Sequence, residues 1–325
     1  MPARRVLPLL LALFVLTACA VPMPPATPAE TGDAAPEVAT LRVAVLPITD
    51  VIPFYVAQQE GEFAARNLEV ALIPVSSGPD RDTLLQAGGA DCALNEVLGT
   101  ILFNAGEGEQ LRVVSTALRA FPEAAHFYLL ASPQSGVSAP ADLSGRTIAI
   151  SANTIIEYWT DRLLTQQGVD AATVETTNVP QIPVRLELLM SGQVDAAVLP
   201  DPLASLAIMQ GAVPVLDDTI APELGLSVIS CRLSIVESQP DAVAALVAGW
   251  DAAVGAINAD PQQFGNVLTE NTRVPEPLQD RYNLPPFPAA ELPTRAEVDD
   301  VLAWAMEKGL IGESQSYETV VSDVR

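Results

Sequence analysis

Leu84-Leu85-Gln86-Ala87-Gly88-Gly89-Ala90-Asp91-Cys92-Ala93 and Leu188-Leu189-Met190-Ser191-Gly192-Gln193-Val194-Asp195-Ala196-Ala197 both read L-L-x-x-G-x-x-D-x-A, 104 positions apart. At the same offset Arg42-Val43-Ala44-Val45 faces Arg146-Thr147-Ile148-Ala149. These short apolar runs read as strands buried on both faces. Each is followed by a helix-like segment, Ile52–Arg66 and Ile155–Gln167, and then by a second strand, Leu68–Val75 and Val174–Val179. The order β-α-β-α-β therefore occurs twice, which implies parallel sheets with right-handed crossovers. Agreement of strand, helix and turn at one offset makes coincidence a poor explanation.

The glycines of the repeat have a physical reason to be there. A helix ending in Leu84-Leu85 or Leu188-Leu189 needs a left-handed residue to terminate it, which Gly88 and Gly192 supply without a Cβ clash. Asn67 fits the same need before the second strand, because asparagine tolerates that conformation better than most residues. Beyond the two repeats, Leu226–Cys231 reads as a strand. Helical patterns follow over Pro240–Asn258, Pro261–Glu270 and Thr294–Lys308, opened by Pro or Thr. Pro275, Pro277, Pro285, Pro286 and Pro288 mark an irregular connection. This last third is expected to return to the first unit and complete it.

The N-terminus carries Arg4 and Arg5, an apolar run from Val6 to Leu16, and small residues before Cys19. That is the pattern of a secretory signal, residues 1–19, and it is left out of the fold. The run of 11 residues is shorter than the ~20 that would cross a bilayer as a helix. Leu16-Thr17-Ala18-Cys19 resembles the bacterial lipoprotein box, which implies lipidation at Cys19; an unmodified cysteine in an ordinary signal is the alternative. Residues 20–40 hold Pro22, Pro24, Pro25, Pro28 and Pro36 among Ala, Thr and Glu, and read as a flexible tether.

The chain of 325 residues has 16 basic and 40 acidic residues. Without Arg4 and Arg5, 14 basic residues face 40 acidic ones, a formal charge of −26. No basic patch exists to neutralise phosphates, so nucleic acid is not an expected partner. The acidity suits solubility in an external medium. Cys92 and Cys231 lie in apolar strand-like runs. Either they pair, which export would permit, or they are buried free thiols; neither has metal-site spacing, and no metal or cofactor is expected.

Several segments together resemble the substrate-binding proteins of ABC importers, in the class serving nitrate, sulfonates, taurine and the pyrimidine precursor of thiamine. They are Pro53-Phe54-Tyr55-Val56-Ala57 with Gly61-Glu62-Phe63, Leu68-Glu69-Val70, the G-x-x-D turns at Gly88 and Gly192, and Asp142-Leu143-Ser144-Gly145-Arg146-Thr147-Ile148-Ala149. The resemblance runs from about Leu41 to Leu310. It implies an α/β, two-lobed periplasmic-binding-protein-like fold of type II with the ligand cleft between lobes. Lobe 1 would hold residues 41–120 and 225–325, and lobe 2 residues 121–224. The crossings between them are expected near Arg119–Ala125 and Asp218–Leu226, acting as hinges for closure. It also implies a monomer, lipid-anchored outside the cytoplasm, that hands a small molecule to an ABC permease.

In parallel α/β sheets ligands bind outside the carboxyl ends of strands, beside helix N-termini. That rule selects Asp50, Ser76, Ser77, Asn95, Glu96, Asn153, Glu157 and Asp201, with Arg119 near a crossing. At offset 104, Phe54-Tyr55 matches Tyr158-Trp159, so each lobe presents two adjacent aromatics early in its first helix. Consecutive helical residues point about 100° apart, so at least one ring per lobe should enter a core. Tyr55 with Trp159 or Tyr158 is the expected cleft pair. Two opposed rings suit a flat ligand. Carboxylates nearby favour ring N–H or amino donors over a bare sulfonate or nitrate. A planar nitrogen heterocycle, a thiamine pyrimidine precursor or flavin-like ring, is therefore favoured over sulfonate, taurine or nitrate. Asp50 and Asp201 could instead be helix caps, and Glu157 a partner of its helix dipole. Ser and Thr hydroxyls with helix N-terminal amides could still hold an anion.

An enzyme reading is weaker. A fungal enzyme of the same superfamily makes the pyrimidine precursor with histidine and a cysteine-rich iron site. Here the one histidine, His126, lies in an apolar run, where a core or crossing-strand role is expected, and the cysteines form no cluster. A surface lipoprotein without transport function would need no cleft at all.

Overall fold

The computed structural model describes residues 38–271, 274, 276–279 and 282–325. The leader, Cys19 and nearly all of the expected tether lie outside the described residues.

The first repeat folds as β1 (Ala39–Val45), α1 (Ile52–Gln59), β2 (Leu68–Pro74), α2 (Gly78–Gln86) and β3 (Cys92–Glu96), followed by α3 (Val97–Asn104) and β4 (Leu111–Leu118). The chain then crosses to β5 (Phe127–Ala131) and enters the second repeat: β6 (Thr147–Ile150), α4 (Ile155–Gln166), β7 (Glu175–Asn178), α5 (Ile182–Met190), β8 (Ala196–Pro200), α6 (Leu203–Met209) and β9 (Val213–Asp217). It returns as β10 (Ser227–Arg232), α7 (Leu233–Ser238), α8 (Pro240–Ala259), α9 (Gly265–Asn271) and α10 (Arg295–Glu307).

Two five-stranded sheets result, ordered β2-β1-β3-β10-β4 and β7-β6-β8-β5-β9. In each, the repeat strands run parallel, as the alternation predicts. Each sheet also contains an antiparallel strand that the sequence reading did not foresee. β10 pairs antiparallel with β3 and β4, and β5 with β8 and β9. Each is the strand that arrives from the other sheet, so the two crossings insert symmetrically.

The first strands are offset by one residue from the sequence alignment. Val43 pairs with Cys92 and Ile148 with Ala196, an offset of 105 in the first strand against 104 in the third. The repeat aspartates fasten these strands. Asp91 accepts hydrogen bonds from the Arg42 amide at 2.8 Å and its guanidinium at 2.7 and 3.0 Å. Asp195 accepts from the Thr147 amide at 3.0 Å and Arg146 Nη1 at 3.3 Å. The turns follow expectation, with φ +70° at both Gly88 and Gly192 and +54° at Asn67.

Cys92 and Cys231, directly opposed on β3 and β10, form a disulfide; the free-thiol alternative does not hold. The predicted helix over Ile52–Arg66 breaks after Gln59 and resumes as a 3-10 turn at Ala64–Arg66, with Gly61 between at positive φ.

α8 is long and apolar enough by length and composition to cross a membrane, a stretch the sequence reading did not single out. Its Val243, Leu246, Trp250, Val254 and Ile257 instead pack into the core with α1 and the first sheet. α10 buries Val298, Val301 and Leu302 in a second core with α3, α4 and the second sheet. It also reaches α4 through Arg162–Asp300 at 3.0 Å and Tyr158 Oη–Asp300 at 2.7 Å. The last third thus closes against both repeats rather than the first alone.

Candidate functional site

The carboxyl ends of the parallel strands of the two sheets meet at a half-open space of about 70 Å³. From the first repeat it is lined by Leu46, Ile48, Gly78, Arg81, Asn95 and Glu96, and from the second by Ser151, Thr154, Ile155, Ile182 and Arg185. Phe127 and Ser227, where the crossings enter their sheets, complete it. A larger chamber of about 770 Å³ shares Ile48, Ile182 and Pro200 with this space. Its walls are mainly apolar, including Pro47, Pro74, Val75 and Leu203, with Ser76, Asp201 and Glu270 among them.

Two buried arginines dominate the smaller space. Arg81 on α2 and Arg185 on α5 are 3% and 2% exposed. They are 104 residues apart, so the repeat extends backward to P-x-R-x-x-L-L-x-x-G-x-x-D-x-A, from Pro79 and from Pro183. Sequence reasoning missed both, although extending the alignment by five residues would have found them.

Their surroundings differ. Arg81 Nε meets Asp82 Oδ1 at 2.8 Å, and Nη2 lies 3.5 Å from Glu96 Oε1. Burial favours loss of its proton, yet Asp82 and Glu96 hold its pKa above the ordinary value. Arg185 donates only to backbone carbonyls: Nε to Val198 at 3.0 Å, and Nη1 to Val179 at 2.9 Å and Pro180 at 3.2 Å. Among the described residues its Nη2 has no partner and no carboxylate pairs with it. Burial pushes its pKa down to about 10, so the guanidinium stays charged at neutral pH. A buried cation without a counter-ion is costly unless an anion arrives.

Glu96 belongs to the same arrangement. Burial raises its pKa, against the opposing influence of the Arg81 charge and a hydrogen bond from the Ile155 amide at the start of α4. A carboxylate of the first repeat therefore lines the same space as a helix N-terminus of the second. Asn95, 3% exposed, keeps Oδ1 buried and without a partner, while its Nδ2 donates to Thr100 Oγ1 at 3.3 Å. Gly99 makes room for this packing, because a Cβ there would lie 2.6 Å from Asn95 Oδ1 and 2.8 Å from Arg81 Nη2.

The other sequence candidates have structural occupations. Asp50 is fully buried and is not a helix cap; it accepts from Ser227 Oγ and holds His126 Nε2 at 3.0 Å. Asp218 accepts from the His126 and Phe127 amides at 2.8 and 3.0 Å. Burial alone would lower the His126 pKa, but Asp50 and Asp218 raise it to about 9. Ser77 caps α2, and Thr154 caps α4. Asp201 receives the Ser205 amide at 2.9 Å and Tyr282 Oη at 3.2 Å. Glu157 accepts from the Asn153 amide at 2.8 Å and pairs with Lys308 at 3.0 Å. Arg119 is taken by Glu291 and Glu297.

The aromatic pairs do not form the expected cleft. Phe54 is fully buried with its ring edge-on to Trp250 at 4.6 Å. Trp159 is fully buried beside Phe127, and Tyr158 packs edge-on to Trp304. Tyr55 is half-buried against the first core. The physical reason is packing: α1 and α4 are amphipathic helices covered by α8 and α10, so Phe54 and Tyr158 fill those interfaces while Trp159 turns toward the second sheet.

A family model described as NMT1/THI5 like matches residues 48–264. The chain belongs to that family. Among solved structures, the alkanesulfonate-binding protein SsuA of Xanthomonas axonopodis pv. citri, bound to MOPS, superposes with a TM-score of 0.73 at 18% identity, covering 88% of this chain and 99% of that one. The periplasmic aliphatic sulphonate-binding protein SsuA of Escherichia coli gives 0.73 at 18%, covering 87% and 97%. The periplasmic nitrate-binding protein NrtA of Synechocystis PCC 6803 gives 0.68 at 17%, covering 88% and 85%. No curated protein sequence matches. These likenesses show that this NMT1/THI5-like chain has the two-lobed periplasmic-binding-protein fold, with Arg81 and Arg185 at the meeting of its two sheets.

Proposed function

We propose that this protein is the extracytoplasmic solute-binding component of an ABC importer and that its solute is a small organic oxyanion. The observation that carries the reading is Arg185, a buried guanidinium facing the cleft with only carbonyl partners. An oxyanion would supply the missing counter-charge through a charge-assisted hydrogen bond. The hydroxyls of Ser151, Thr154 and Ser227 line the same space. The space of about 70 Å³ suits a compact head, given that one water needs about 10–15 Å³ by the same measure. The apolar chamber beside it can take an organic remainder.

Sulfonate and nitrate binding by structural relatives agrees with this reading. The planar heterocycle loses the rings that favoured it, since Phe54, Tyr158 and Trp159 are core residues. Binding without catalysis fits the cleft as well: His126 is held between Asp50 and Asp218, and both cysteines of the described residues are joined. The disulfide supports an oxidising, exported setting. Lipidation at Cys19 would hold a monomer at the membrane beside its permease, with closure hinged at residues 119–125 and 218–226.

The test is a titration panel of alkanesulfonates, taurine, nitrate, short carboxylates, aminopyrimidines and flavins against residues 40–325. Binding of oxyanions that disappears in Arg185→Met is the expected result. Binding of a heterocycle alone, retained in Arg185→Met, would overturn it.

A further inference from the structure

Most hydrogens on the walls of the smaller space are committed before any solute enters. Thr154 Oγ1 gives its hydrogen to the Ser151 carbonyl at 2.8 Å, and Ser227 Oγ gives its own to Asp50. Asn95 commits Nδ2 to Thr100 Oγ1 and keeps Oδ1 buried without a donor. The charged residues that line the space are Arg81, Glu96 and Arg185. Arg185 holds a donor, Nη2, that has no acceptor among the described residues. Glu96 holds the reverse. A carboxylate offers about four acceptor positions. Among the described residues the one side chain that reaches Glu96 is Arg81, whose Nη2 stands at the long distance of 3.5 Å. Arg81 is itself drawn outward, because its Nε donates at 2.8 Å to Asp82, which does not line the space.

A solute head held by Arg185 in so small a volume has Glu96 and Asn95 on the first-repeat wall. A sulfonate brings three acceptor oxygens, so an oxygen turned toward Glu96 meets another acceptor with no hydrogen between them. A phosphonate monoanion, R–PO3H⁻, has the same tetrahedral shape and the same charge but carries one O–H. That hydrogen replaces the conflict with a charge-assisted O–H···O⁻ bond, the shortest and strongest class of hydrogen bond a carboxylate accepts. Burial, which raises the Glu96 pKa, makes it the better acceptor for an acidic hydrogen.

We propose that Glu96, with Asn95 beside it, reads the acid hydrogen of the solute head, and that the solute is an organic phosphonate bound as its monoanion. Its ionised oxygens meet Arg185, and its O–H meets Glu96. The proposal rests on the oxyanion reading above and narrows it. A phosphate monoester is the poorer fit at neutral pH, because its second ionisation at about pH 6 has removed the hydrogen and added a charge. Carbon withdraws less charge from phosphorus than oxygen does, so an alkylphosphonate keeps that hydrogen to higher pH. Glu96 is thus a specificity determinant that works by repelling aprotic heads of the same skeleton.

Calorimetric titration near neutral pH with ethylphosphonate, ethanesulfonate and ethyl phosphate tests this. Wild type should bind ethylphosphonate about tenfold or more tightly than ethanesulfonate, the range of one hydrogen bond to a charged group. Ethyl phosphate should be weaker than ethylphosphonate. In Glu96→Gln the preference should vanish, because an amide can donate to the sulfonate and no longer repels it; Asp82 still holds Arg81 in that variant. Equal affinity for phosphonate and sulfonate in wild type, as when Glu96 itself already carries the hydrogen, overturns the proposal and leaves the oxyanion reading intact. That comparison needs no variant. A preference that survives in Glu96→Gln also overturns it, as does tighter binding of ethyl phosphate than of ethylphosphonate. Failure of the oxyanion reading is seen separately, as binding of these probes that is unchanged in Arg185→Met.

Discussion

The two repeats share a backbone and a motif but not a charge pattern. Each builds a five-stranded sheet of three paired parallel strands, one inserted antiparallel strand and a fifth strand beyond it, with the same glycine turn and the same aspartate clasp. Within that frame Arg81 is met by two carboxylates and Arg185 by three carbonyls. The third strand diverges too: the Cys92–Cys231 disulfide of the first sheet stands where the second has the opposed alanines Ala196 and Ala131. Duplication fixes where a side chain points. Its neighbours decide whether it holds the fold or waits for a ligand.

The largest test of this asymmetry is the disulfide. It closes a separation of 139 residues, for which chain entropy gives up to about 5 kcal/mol. Reduction should therefore lower the urea midpoint markedly, and Cys92→Ala with Cys231→Ala should match it. No change on reduction would mean that the first sheet does not depend on its staple. Ala131→Cys with Ala196→Cys offers the converse experiment, adding a bond to the second sheet and raising the midpoint.

The arginines come next. Arg81→Met leaves Glu96 a buried carboxylate without its cation, and breaking such a pair costs about 3–5 kcal/mol. Arg185→Met removes a buried charge that no carboxylate matches, so stability should change little while oxyanion affinity falls about a hundredfold. Denaturation and titration of the two variants decide the matter. If Arg185→Met is the less stable and Arg81→Met the weaker binder, the division of labour is reversed.

Much of the scaffold was legible because backbone chemistry speaks in single residues. Gly88, Gly192 and Asn67 occupy left-handed positions that few residue types accept, so their spacing located turns and, through them, strands and helices. The one-residue slip between the first strands has the opposite cause. Strands buried on both faces carry no alternation to fix register, and Val43 and Thr147 look as well matched as Val43 and Ile148. The antiparallel insertions were invisible because a short apolar run such as Ser227–Arg232 does not state its direction. At the site, Asn95 and Glu96 followed from the strand-end rule, and both line the cleft. The rings were misjudged because a sequence does not say which helix will cover α1 or α4. Arg81 and Arg185 escaped notice because arginine is ordinarily a surface residue.

His126 tests the junction between the repeats. It stands at the first crossing, held by Asp50 from the first repeat and by Asp218 from the second crossing, with Asp201 also nearby. Its folded pKa, about 9, exceeds its unfolded value near 6.5. The charged form therefore favours the folded state. That contribution is complete below about pH 6.5 and is lost as pH rises through about 9. The urea midpoint of wild type should fall over that window relative to His126→Gln, in which the group cannot titrate. Parallel pH profiles for the two proteins would remove His126 as a charged link.

The smallest expected effect is also the closest comparison, since Gly88 and Gly192 have the same φ of +70° in equivalent turns. A Cβ in that conformation costs roughly 1–2 kcal/mol. The surroundings barely distinguish them: the added Cβ would lie 3.5 Å from Arg232 Nη1 at Gly88 and 3.1 Å from Gln134 Oε1 at Gly192. Each neighbour is the end of a flexible side chain that can move aside. Gly88→Ala and Gly192→Ala should therefore lose nearly equal stability, with Gly192→Ala slightly the worse. A gap larger than the backbone cost itself would show that the turns are not mechanically equivalent, and the likeness of the repeats would then end at their strands.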